Sequence, residues 1–204
     1  MPNLITPKGR VNYAFIHHPE VDAETGKKTY RLLLHWPDPA TDLSKLKQAI
    51  VAAAQEKWPG VDPRQLELPL RPAAEINGVS PDTGYAANFK RDRGVPAVVK
   101  PSVDAAGRRC VVPLDVNTES VYSGCWASVS YSAYTWTYKS RKGVSLSLID
   151  VCKLADDEPL GGSIGRPDED FDGLEFDMSD DPFAAGAADD PFGSVAAPGG
   201  GDFF

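Results

Sequence analysis

A mostly β fold is what this sequence predicts: a small antiparallel barrel of five to six strands with one helix, followed by an acidic segment that does not fold alone. Three observations predict it. Period-two alternation of apolar and polar residues recurs through the first three quarters of the chain. Only one stretch carries helical periodicity. From Ala155 onward the composition turns acidic and rich in Gly, Ala and Pro, with too little apolar periodicity to build a core.

Taken in order, Arg10 to His17 (RVNYAFIH) and Lys28 to Trp36 (KTYRLLLHW) read as two strands. The polar EVDAETGKK between them suits a hairpin loop. Pro37 and Pro39 stop the second strand. Asp42 is a good N-cap for a helix over Leu43 to Lys57, whose apolar stripe is Leu43, Leu46, Ile50, Val51 and Ala54 and whose end is Trp58-Pro59-Gly60. Residues 59–83 hold five prolines and read as irregular chain crossing the surface, a length of loop that is often functional. It leads to Tyr85–Arg93 (YAANFKRDR), an aromatic and basic cluster. Val95–Val103 and Arg109–Leu114 give two further short strands around the turn DAAG.

The longest strand signal is Val121 to Leu154, two strands joined by a basic, Gly-containing turn at Lys139 to Gly143. Val121, Cys125, Ala127, Val129, Tyr131 and Ala133 fall on one face, which reads as core. Tyr122, Trp126, Tyr134, Trp136 and Tyr138 fall on the other. After the turn, Val144, Leu146 and Leu148 alternate with Ser145 and Ser147. Flat rings beside Lys139, Arg141 and Lys142 are what a protein needs to stack unpaired bases while neutralising phosphates. Tyr85, Phe89, Lys90, Arg91 and Arg93 form a second cluster of the same chemistry, for which a solvated loop with ordinary charges is the equal alternative. Packing beneath a second layer is the competing account of such aromatics. Among small antiparallel barrels, the OB-fold is the one whose sheet face and loops bind oligonucleotides.

Charge divides the chain at the same place as the folding pattern. Residues 155–204 hold fourteen Asp/Glu and one Arg, a net of −13, which leaves residues 1–154 at +5 out of an overall −8. A basic body with an acidic tail points to nucleic acid. The expected organisation is therefore a nucleic-acid-binding domain over 1–154 and a disordered interaction tail over 155–204. That tail repeats DDPF at Asp180-Asp181-Pro182-Phe183 and Asp189-Asp190-Pro191-Phe192, and closes on Asp202-Phe203-Phe204. Phenylalanine beside carboxylates suits a partner pocket with an apolar floor and a basic rim.

Three cysteines without CxxC spacing argue against a disulfide framework and for a reducing cytoplasm. No apolar run is long enough for a leader or a membrane span. His17, His18 and His35 lack the spacing of a metal site, no phosphate-binding or nucleophile-elbow motif is present, and Cys125 falls on the core face. Neither enzyme activity nor a cofactor or metal is expected.

The tail resembles that of single-stranded DNA-binding proteins from bacteria and phages, which end in an acidic segment with a terminal Phe. The body resembles a phage family related to the replication helper proteins of short-tailed phages, on four stretches: PAVVKPSV (Pro96–Val103), VYSGCWASVSYSAY (Val121–Tyr134), KGVSLSLIDVCKLADDEPLGG (Lys142–Gly162) and DEDFDGL (Asp168–Leu174). The resemblance implies an OB-fold that coats single-stranded DNA with little sequence preference during replication or recombination in a bacterial host. It also implies a tail that recruits replication or recombination proteins and competes with DNA for the basic groove. This chain differs in carrying three Phe-containing acidic motifs and in placing its helix early. A homodimer is left open. The alternative is a structural or adaptor β-protein of phage assembly that uses the tail alone.

Overall fold

A computed structural model describes residues 4–116 and 118–160, so the three Phe motifs of the tail lie outside the described residues. The strands in chain order are β1 (Leu4–Ile5), β2 (Gly9–Val21), β3 (Lys28–Trp36), β4 (Leu70–Pro72), β5 (Tyr85–Arg91), β6 (Ala97–Val103), β7 (Arg109–Pro113), β8 (Trp126–Tyr138) and β9 (Arg141–Ala155), with one helix, α1 (Ser44–Lys57), between β3 and β4. Five strands close a ring: β2 pairs β3, β3 pairs β5, β5 pairs β9, β9 pairs β8, and β8 returns to β2. All of these pairs are antiparallel except β5 with β9. This ring is the OB-like barrel that the sequence predicts, and β1, β4 and the β6–β7 hairpin are additions to it.

Alternation fills the ring. Leu32, Leu34, Phe89, Ala127, Val129, Tyr131, Val144, Leu146 and Leu148 are buried on its inner face. Phe89 meets Tyr131 edge to face, with ring centroids 5.6 Å apart. A slip in the β8–β9 register leaves Ile149 without an opposite residue, so the strand changes parity there. Val151 and Lys153 then turn inward, where strict alternation from Leu148 would have sent Asp150 and Cys152. Helix α1 presses Leu46, Ile50 and Ala54 onto this core and packs against β8 and β9. It starts at Ser44, one residue later than expected, with Leu43 at the cap position; Asp42 still accepts the Ser44 N–H at 2.9 Å.

Elsewhere the structure revises the expected elements. Tyr85–Arg91 is a central strand rather than a loop, zipped to β3 over seven residues. The hairpin turn is only Lys139-Ser140; Gly143 lies inside β9, opposite Trp136. Residues 121–125 precede β8 rather than begin it. The segment 59–83 contains β4 and two 3₁₀ turns (Pro63–Gln65 and Ala73–Glu75), which give its proline-rich chain defined hydrogen bonds. Among the described residues no helix is long and apolar enough to cross a membrane.

Candidate nucleic-acid interface

The outer face of the ring has a register of its own. Phe15 stands opposite Arg31, Arg31 opposite Lys90, Lys90 beside Ser147, and Ser147 opposite Ser132, one row across five strands. One row further along, Leu33 faces Asn88 and Tyr134 faces Ser145. The proline-rich segment covers half of this face. Ala73, Ile76 and Val79 pack over Leu33 and Ala86 in a second, smaller apolar cluster. The other half stays open because β5 changes partner along its edge: β4 pairs with its first residues and β9 with Phe89 and Lys90. The parting strands leave a cleft lined by Glu67, Pro69 and Arg71 on one side, Trp136 and Ser145 on the other, and Asn88 and Lys90 beneath. Lys90 also lines the adjoining hollow with Tyr134, Arg93 and Lys27.

Loop and hairpin are sewn together at the rim. The Glu67 N–H donates to the Lys142 carbonyl at 2.9 Å and the Val144 N–H to the Glu67 carbonyl at 3.0 Å. Arg141 adds a two-pronged ion pair to the Glu67 carboxylate, with Nη2 donating to Oε2 at 2.7 Å. Arg141 therefore holds Glu67 below the ordinary carboxylate range. Gly143 is required at this seam. A Cβ there would come within 2.7 Å of both the Glu67 carbonyl and the Trp136 ring.

The structure sorts the expected contact residues into four groups. Trp136 and Lys90 line the cleft, Lys90 shares the adjoining hollow with Tyr134 and Arg93, and Tyr138, Lys139 and Lys142 lie at the adjacent hairpin tip; Lys139 lies 5.4 Å from the Tyr138 ring. Arg141 and Arg91 have structural partners. The Arg91 guanidinium donates to the Arg93 carbonyl at 2.6 Å and to the Ile149 carbonyl at 2.8 Å. Phe89 and Tyr85 turn away: Phe89 is fully buried, and Tyr85 packs against the core beneath Lys47, whose Nζ is 4.8 Å from its ring. A buried Phe89 has no face open to a base, so alternation within β5 splits a cluster that is continuous in sequence.

Tyr122 and Trp126 form the fourth group, at the far end of β8 from Trp136. The Trp126 indole N–H donates to Asp157 Oδ2 at 2.7 Å, and Lys8 Nζ lies 4.8 Å from its ring. The Tyr122 hydroxyl donates to the Asp157 carbonyl at 2.8 Å. Asp157 is held below its ordinary value by the Glu158 N–H and by this indole. Asp156 pairs with Lys153 at 2.7 Å. Residues 156–158, on the tail side of the expected boundary, are thus tied to the body.

Sequence reading missed Arg71, Asn88, Arg31 and Tyr13, which also line the outer face. Arg71 and Asn88 sit in segments read as loop, and Tyr13 is displaced from its expected side by a bulge. Among the described residues Arg71, Lys90 and Lys142 form no salt bridge and Arg93 acts on the Asp92 carboxylate without one, whereas Arg31 pairs with Glu20 at 2.5 Å and Lys27 with Asp92 at 2.5 Å. His35 Nε2 bonds the Thr83 carbonyl and His17 Nε2 accepts the Val121 N–H. Burial pushes the Cys125 thiol above its ordinary value.

The family model described as "Enterobacter phage Enc34, ssDNA-binding protein" matches residues 2–183. Among solved structures, the single-stranded DNA-binding protein of bacteriophage Enc34 in complex with single-stranded DNA is similar at 19% identity, over 78% of this chain and 89% of that one, with a TM-score of 0.57. The same phage protein in a second structure gives 18% identity, coverage of 83% and 89%, and a TM-score of 0.55. The single-stranded DNA-binding protein gp2.5 of bacteriophage T7 gives 17% identity, coverage of 81% and 98%, and a TM-score of 0.52. No curated protein matches the chain. With a ring of five strands, an open aromatic and basic outer face, and a family match across most of its length, the chain belongs to the single-stranded DNA-binding protein family of Enterobacter phage Enc34.

Proposed function

We propose that this protein binds single-stranded DNA, without catalysis, along the outer-face cleft. The observation that carries the reading is the union of Trp136 and Tyr134 with Lys90, a cation in the cleft that no carboxylate of the described residues neutralises. Trp136 and Tyr134 stack bases, while Lys90, Arg71, Arg93 and Lys142 hold phosphates. Stacking accepts any base, so sequence preference is small. Asn88 beside Trp136 supplies a polar group for base edges.

Residues 155–204, with a net charge of −13, act as the protein-binding arm in this reading. Their Phe-containing acidic motifs recruit replication or recombination partners in the infected or prophage-carrying host cell. The same charge makes the arm a weak competitor for the cations of the cleft.

The test is a fluorescence titration of a labelled oligothymidine of about thirty nucleotides, the upper part of what one to several OB-folds occupy. Full-length protein and Trp136→Ala are compared. Binding that falls by about 1–3 kcal/mol on losing the indole supports the reading. Absence of binding by the wild-type protein at low salt would sink it.

A further inference from the structure

Strand β2 breaks alternation at one place. Its pairing with β3 slips between Asn12 and Phe15, and Tyr13 lies within the slip at φ +48, a left-handed backbone that aromatic residues rarely adopt. In a regular strand Tyr13 would follow Val11 into the core. The bulge turns it out instead, and the residue is 44% exposed. Such strain persists only where surrounding contacts impose it, and it concentrates at ligand-holding positions. Here the contacts are specific. The Tyr13 hydroxyl donates to the Asn77 carbonyl at 3.0 Å. Gly78 leaves the necessary space, since a Cβ there would fall 1.9 Å from that hydroxyl. The ring is therefore fixed at its polar end and open along its side.

Its neighbours are those of the cleft. Tyr13 shares a hollow with Arg31, Arg71 and Asn88, and Arg71 and Asn88 also line the cleft of Trp136. We propose that Tyr13 is a second stacking platform, and that a single strand crosses the ring from Trp136 and Tyr134 on β8 to Tyr13 on β2, with Arg71 and Lys90 along its phosphates. The proposal rests on the single-stranded DNA reading and adds to it the path and the far end of the site. β2 and β8 pair only at Gly9 and Arg10; along the outer-face path through β9, β5 and β3, four inter-strand spacings lie between β8 and β2, about 19 Å. At about 3.4 Å per nucleotide along one strand, that spans about five to six nucleotides, in the lower part of the range for one OB-fold.

The alternative role for Tyr13 is a latch that holds the 73–79 segment, and two variants separate the roles. Tyr13→Phe keeps the ring and removes the hydroxyl bond. Tyr13→Asn removes the ring but tolerates the left-handed backbone, so the fold is retained. Both are titrated against oligothymidines of about three and about twelve nucleotides, with Trp136→Ala alongside and thermal unfolding of each recorded.

With Tyr13 as a platform, Tyr13→Asn loses between about fivefold and a hundredfold in affinity for the longer strand. It changes binding of the shorter one less, and its salt slope is that of wild type, while Tyr13→Phe binds as wild type. Wild-type affinity in Tyr13→Asn, or equal losses in Tyr13→Phe and Tyr13→Asn, would overturn the proposal. Loss in Trp136→Ala but not in Tyr13→Asn removes only this inference. Failure of the wild-type protein to bind either strand removes the reading beneath it.

Discussion

His17 shows how a residue that sequence offers as a metal ligand is used by the fold. Its Nε2 accepts the Val121 N–H at 2.9 Å and so anchors the chain leading into β8. Burial first, and the neighbouring His18 second, lower its pKa from 6.5. Protonation would convert the acceptor into a donor and leave the Val121 N–H unpaired. The unfolded chain takes up this proton near 6.5 and the folded chain at lower pH, so stability falls as pH drops through 6.5 and levels off below the folded value. The expected loss is about 1 kcal/mol, the cost of an orphaned partly buried N–H. Urea midpoints between pH 7.5 and 5, a range placed about the ordinary histidine value, should decline less for His17→Gln, whose amide oxygen accepts without titrating.

At the scale of elements, the seam between the 59–83 segment and the β8–β9 hairpin determines whether Trp136 is presented. Two backbone hydrogen bonds and the Arg141–Glu67 pair hold it, and Gly143 gives the indole its place. Gly143→Ala should cost about 1–3 kcal/mol, because the neighbours it meets are backbone and a half-buried ring that cannot yield freely. It should also weaken oligothymidine binding by displacing Trp136. Chemical denaturation together with the titration checks both effects. Unchanged stability would show that the seam gives way more easily than its contacts imply.

For the whole molecule the charge distribution makes a prediction about salt. Four cations of the cleft, the adjoining hollow and the hairpin tip that form no salt bridge among the described residues, Arg71, Lys90, Arg93 and Lys142, give log K a slope near −3 against log salt, at about 0.7 per phosphate for single strands. Lys90→Ala should reduce that slope by about 0.7, whereas Arg91→Ala, which loses a backbone clasp, should change stability more than slope. Titrations at several sodium chloride concentrations distinguish these outcomes. A protein stopped after Gly162 should bind more tightly at low salt, with the difference fading as screening sets in.

Much of the β architecture was legible in the sequence because burial on one face of a strand writes period two directly into the residues. The core positions from Ala127 to Tyr131 and from Val144 to Leu148 follow from that rule, and the body of α1 follows from the corresponding helical period. The division of charge between body and tail is likewise a property of composition. Which rings and cations share a site depends on strand pairing at long range. Trp136 and Lys90 meet because β9 lies between β8 and β5, a pairing between segments far apart in sequence. Phe89 and Lys90 separate because adjacent strand residues face opposite ways. The bulges at Tyr13 and Ile149 invert faces without any local signal, since a one-residue slip depends on what the partner strand requires. Alternation and charge within the chain's own residues set the kinds of surface this protein carries. Long-range pairing alone placed them in one cleft.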